Sequence, residues 1–151
     1  MKTLSSLGVA FLALLAGAGL PFQAGMNAQL RLTLGSPMRA SLVHFVIAVA
    51  GFLLFALLIE RAPLPTAEAL VHGPAWMWFG GFMGAFYVLS TIIVVPRLGA
   101  GIAFALVVAG QMLVALLIDR FGLMNLPQVP VTLSRVVGAA LLVVSVLLIR
   151  R

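Results

Sequence analysis

Cysteine is absent, which excludes disulfides and thiolate metal sites and leaves the redox compartment unread. Acidic side chains are nearly absent as well. Glu60, Glu68 and Asp119 are the whole set, far apart in sequence, so no paired carboxylates exist for acid–base catalysis. The two histidines lie in different segments, which argues against a metal site. No His-Glu-x-x-His and no phosphate-cradling loop occurs, so no enzyme class is indicated and no cofactor is expected. Charge of either sign is scarce at 8% of residues, where a soluble domain carries about 25%.

Apolar residues fill the space left. They make up 64% of the 151 residues, and the mean hydropathy is +1.25. This is the composition of an integral membrane protein. The formal net charge of +6 does not point to nucleic acid, because the nine Lys and Arg are spread thinly between apolar runs. They read as membrane-flanking anchors, with lipid as the surrounding partner.

The apolar runs predict five helical spans, at about 3–27, 38–59, 75–95, 101–118 and 131–149, in one all-α transmembrane domain. Met1-Lys2-Thr3 followed by an apolar core and Ala16-Gly17-Ala18 resembles a signal peptide. The run continues at spanning length past that point, so the segment is expected to stay as the first span. Pro21 inside it removes one backbone donor and is a candidate hinge. Arg31 and Arg39 are expected in the first loop. Gly35-Ser36-Pro37 reads as the start of the second span, with Ser36 as cap and Pro37 at the first helical position. Along that span Ser41, His44, Ala48 and Gly51 form one stripe. The loop from Glu60 to Pro74 is broken by Pro63 and Pro65, with a short surface turn expected at Thr66-Ala67-Glu68. Trp76 and Trp78 fit an interfacial aromatic belt. Gly80-x-x-x-Gly84 permits close helix approach. Pro96 is expected to stop the third span, and the turn Arg97-Leu98-Gly99-Ala100 to join the third and fourth spans in a hairpin. Phe121-Gly122 closes the fourth with a C-cap glycine. Only 14 residues separate Arg135 from Arg150, so the fifth span has to begin near Val131 and bury part of Arg135.

Polar side chains inside these spans are the candidate functional residues. Gln23 and Asn27 are four apart, on one helix face and one turn from each other. An amide in hydrocarbon needs another polar group or water, so this face is expected to look inward. Tyr87, Ser90 and Thr91 sit together on the third span, and Gln111 lies near the middle of the fourth. These six are the candidate substrate-binding residues. The alternative for each is helix glue or, for the hydroxyls, back-bonding to the preceding turn. His44, Asp119 and Arg135 are the coupling candidates: a histidine within a span relays protons or acts as a neutral hydrogen-bond partner. Asp119 either couples to a proton or cation or pairs with Arg120 or Arg135.

With these residues assembled, the chain resembles the YdcZ-type branch of the drug/metabolite transporter superfamily. The likeness is carried in order by Gln23-x-x-x-Asn27-x-x-Leu30, Gly35-Ser36-Pro37-x-x-Ala40, Gly80-Gly81-x-x-Gly84-Ala85-x-Tyr87-Val88, Pro96-Arg97-Leu98-Gly99, Gly110-Gln111, Asp119-x-Phe121-Gly122 and Arg135-x-x-Gly138. The resemblance implies a multi-pass protein of the bacterial inner membrane with about five helices, half of an inverted-repeat transporter in its larger ten-helix relatives. The related small multidrug resistance proteins are antiparallel dimers. Unlike them, this chain has no glutamate in its first span, so their proton-coupled cation exchange does not carry over.

The expected function is therefore transport or export of a small metabolite or drug-like molecule by alternating access, in a homodimer whose copies insert in opposite orientations. The rival is a non-transporting membrane subunit or scaffold. Five spans put the termini on opposite sides. Lys2, Arg61, Arg120 and Arg135 then face Arg31, Arg39, Arg97, Arg150 and Arg151, four against five, which is too even to choose an orientation. A C-terminal fusion reporter is expected to give signal on both sides of the membrane; signal confined to one side would exclude dual insertion.

Overall fold

In hydrocarbon every backbone N–H and C=O has to find its partner within the segment or a neighbour, which restricts spanning structure to helices and closed barrels. The computed structural model describes residues 6–61, 66, 68 and 74–149, and its regular structure is all helix. Helix α1 covers Ser6–Leu34 and α2 covers Pro37–Phe55, continued by a π-helical turn, Ala56–Glu60. A 3-10 turn at Ala75–Trp78 leads into α3 (Phe79–Leu98), followed by α4 (Ala100–Phe121), a 3-10 turn at Leu123–Asn125 and α5 (Leu133–Ile149). Four of these segments are long and apolar enough to cross a membrane. The fifth, α5, has 17 residues and is about 25 Å long, at the lower end of spanning length. Most of the surface turn expected at Thr66–Glu68 lies outside the described residues. The chain forms two compact units, Met1–Ile93 and Val94–Arg151.

In the first unit, α1 and α2 are a helical hairpin. Ser36 is extended, and its Oγ accepts from the Arg39 backbone N–H at 3.5 Å, with Pro37 at the first helical position as expected. Two expectations change here. Helix α1 does not end at Asn27 but runs to Leu34, because nothing between Ala28 and Leu34 breaks a helix; the stop is Gly35. Arg31 is therefore in the last turn of α1 and Arg39 in the first turn of α2, and neither is in a loop. Pro21 sits inside α1 without ending it. The hairpin packs on α3 through a small core of Ala40, Val88 and Ile92, bordered by Leu30, Phe45 and Tyr87.

Pro96 also differs from expectation: it lies inside α3, which ends at Leu98, and the residue that stops the helix is Gly99 (φ 79°). A proline costs a helix the bond to the carbonyl four residues earlier, which here is Ile92. That carbonyl accepts instead from the Arg31 guanidinium, Nη1 to O 3.4 Å. Proline is tolerated near the helix end because α1 supplies the missing donor.

In the second unit, α4 and α5 pack against one another. Gly122 is left-handed (φ 59°) and returns its N–H to the Ile118 carbonyl, the expected C-cap. The segment beyond folds back on the end of α4: Val129 N–H bonds the Asp119 carbonyl at 2.9 Å and Gln128 Nε2 reaches the Phe121 carbonyl at 3.4 Å.

Among the described residues nothing occupies the space above Gly80 and Gly84: a Cβ at either glycine would meet nothing within 4 Å. Large apolar side chains such as Phe52, Phe82 and Phe86 also point outward, as hydrocarbon-facing residues do.

The Arg31–Ile92 bond makes a testable pair. Arg31→Met should leave the Ile92 carbonyl unpaired and lower stability by about 1–3 kcal/mol. In a Pro96→Ala background the restored N–H should satisfy that carbonyl, so the same change should cost much less. Thermal unfolding of the four proteins in detergent measures the coupling.

Candidate functional site

The turn at Gly35-Ser36 sets the register of α1 against α2. Asn27 lies eight residues before Gly35 and His44 eight residues after Ser36, so equal rise along two antiparallel helices brings them to the same depth. Gln23 is one turn further along α1. These three polar residues line one crevice of about 540 Å³, together with Phe22, Met26, Leu30 and Ile47. Gln23 and His44 are half-buried, and Asn27 is only 5% exposed. Among the described residues the Asn27 Nδ2 donor has no hydrogen-bond partner, and neither does the Tyr87 hydroxyl on α3. Each such group carries a cost of about 1–3 kcal/mol when buried unpaired. The His44 ring meets the Phe45 ring edge-on at 5.1 Å between centroids.

Other polar candidates are already engaged. Thr91 is buried, with its Oγ1 donating to the Val88 carbonyl at 2.9 Å, so its hydroxyl is committed within α3. Ser41 does the same on α2, donating to the Pro37 carbonyl at 3.0 Å. Ser90 is half-buried beside Thr91.

The second unit holds a separate arrangement. Arg135 Nη1 lies 2.9 Å from Asp119 Oδ2, each side chain about one-third exposed. This ion pair stands at one end of a crevice of about 400 Å³ whose other walls are Met112, Ala115, Leu116, Gly138, Ala139 and Leu142. Asp119 sits in the last turn of α4 and Arg135 in the first turn of α5, each at the end its own helix dipole disfavours. Antiparallel packing cancels this, because each charge faces the end of the neighbouring helix that attracts it. Gln111 is exposed on α4 and lines neither crevice. Among the described residues, no group of three or more His, Cys, Asp or Glu is placed to hold a metal.

A family model described as "Putative inner membrane exporter, YdcZ" matches residues 8–148. The chain belongs to this family. No curated protein and no solved structure matches it. That description names an inner-membrane exporter rather than an enzyme, and together with four membrane-length helices it makes the chain a multi-pass inner-membrane protein. The matched range contains every candidate residue, from Gln23 to Arg135.

In this YdcZ-family chain, then, the structure joins Gln23 and Asn27 with His44, and Asp119 with Arg135, but keeps these groups in different units. Sequence reasoning treated His44 as a lone titratable group and Arg31 as a loop anchor. Counting residues outward from the Gly35-Ser36 turn was the signal available for His44. For Arg31 it was the proline four residues past Ile92.

The Asp119–Arg135 pair should be a structural clasp. Asp119→Asn is expected to lower stability by about 1 kcal/mol, rising where lipid replaces water around the guanidinium. The exchanged pair Asp119→Arg with Arg135→Asp should recover most of it, since the ion pair is rebuilt and the two helix ends again offset one another. Detergent unfolding midpoints of the three variants measure this; an exchanged pair no better than Asp119→Asn would count against the clasp.

Proposed function

We propose that the chain exports small molecules by alternating access as a homodimer, with the α1–α2 crevice as the part of the binding site each copy contributes. The observation that carries this reading is the buried, unpaired Asn27 amide on the wall of that crevice, with Gln23 and His44 beside it. A donor kept in hydrocarbon without a partner is costly to the empty protein and valuable to a ligand that supplies the acceptor.

Dimerisation is supported by surfaces the single chain leaves unused. Gly80 and Gly84 have open space above them, and Gln111 offers an amide at the middle of a span with lipid as the alternative neighbour. The even distribution of Lys and Arg favours two copies in opposite orientation, which recreates the inverted symmetry of larger transporters. One copy's helices then rock against the other's, opening the crevice alternately to each side. Gln23 and Asn27 bind, and His44 is the coupling candidate on the facing helix.

Inverted membrane vesicles exposed to a mixed small-metabolite extract test the proposal. Accumulation of one or more solutes should depend on the protein and fall about tenfold or more in Asn27→Leu and Gln23→Leu, with membrane level and oligomeric state unchanged. Loss of assembly in these variants would favour the scaffold reading instead, and undiminished accumulation would remove the crevice as the site.

A further inference from the structure

The crevice has a chemistry that narrows what it holds. Resting on the reading of the α1–α2 crevice as the substrate site, we propose that the molecule carried is an uncharged one, an apolar body bearing an acceptor oxygen, and that Asn27 sets this class. The group without a partner is a buried donor, Nδ2, on a side chain only 5% exposed that lines the crevice, so a ligand atom that pairs with it is an acceptor. Around it stand Phe22, Met26, Leu30 and Ile47, which match an apolar body.

Charged molecules are disfavoured from both sides. No carboxylate lines the crevice. On the same helix as His44, Glu60 lies 16 residues beyond, about 24 Å along the axis. Asp119 is held by Arg135. A cation entering would lose its water and gain no countercharge. An anion fares little better. Arg31 continues the Gln23–Asn27 face by one more turn, but it does not line the crevice, and its guanidinium is engaged by the Ile92 carbonyl. What remains is a neutral acceptor such as a carbonyl, ether, hydroxyl or phosphoryl oxygen on an apolar frame.

Three probes with similar phenyl shells separate the possibilities: triphenylphosphine oxide (neutral, one strong acceptor), tetraphenylphosphonium (cation) and tetraphenylborate (anion). Binding to the full chain in nanodiscs is measured by calorimetry, after subtraction of empty nanodiscs. The oxide should bind about tenfold tighter than either ion. Asn27→Asp, which keeps the shape but replaces the donor with a carboxylate, should reverse the preference toward the phosphonium. Should that variant not fold, Asn27→Ser should erase the preference for the oxide. Tighter binding of the phosphonium or the borate to the unaltered chain, lost on changing Asn27, would overturn the proposed class while leaving the crevice as the binding site. No detectable binding of the oxide also overturns the class. Oxide binding indifferent to both Asn27 variants would overturn the class and the crevice together.

Discussion

The carbonyl of Ile92 lacks the usual helical donor four residues on, because that residue is Pro96. Pro96 removed the donor, and in a membrane there is no water to replace it at low cost. Arg31 fills that position from α1, and this one bond ties the hairpin of α1 and α2 to α3. The apolar contacts around it are thin: Ala40, Val88 and Ile92 are the buried cluster, and most large apolar side chains face outward. Hydrocarbon outside and hydrocarbon inside are equally comfortable for a leucine. Burial of apolar area therefore drives little of the association between helices here, and satisfied polar groups carry more of it than in a soluble domain.

The same constraint sorts the polar residues. Ser41 and Thr91 return their hydroxyls to carbonyls of their own helices, Ser36 caps α2, and Asp119 and Arg135 pair across α4 and α5. Each of these polar groups has a use that ends within the fold. Their positions are explained once the bond is named, and nothing about a solute is needed.

Much of this was legible from the residues alone. Five apolar runs, the Ser36 cap and the Gly122 stop need only local chemistry, and the helices obey it. The errors arose where a boundary was read from hydropathy rather than from a breaker. Ala28 to Leu34 is less apolar than the run before it, yet nothing in it stops a helix, so α1 continues to Gly35. Pro96 reads as a stop, but here another donor reaches the freed carbonyl, and that donor, Arg31, is 61 residues away in sequence. The spacing of Gln23 and Asn27 placed them on one face correctly. Their meeting with His44 depended on hairpin register, which a list of spans does not contain. The outward position of Gln111 depended on which face of α4 packs, and a helix apolar all round does not announce that.

Against this background the unpaired groups stand apart. Asn27 Nδ2 and the Tyr87 hydroxyl are the buried side-chain atoms without partners among the described residues, and both belong to the unit built by α1, α2 and α3. A leucine at position 27 would fit the same hydrocarbon at no polar cost, and a serine could back-bond as Ser41 does. An amide that does neither leaves the folded chain less stable than it needs to be, by about 1–3 kcal/mol on the usual scale for a lost bond. At Ile92 the chain finds a partner even for a carbonyl freed by proline. Asn27 lies on the wall of a crevice that also carries Gln23 and His44, and Tyr87 borders the core on α3. Of the two unpaired groups, Asn27 is the one on a crevice wall, and a buried donor kept there without a partner is the mark of a site whose partner arrives from outside the chain.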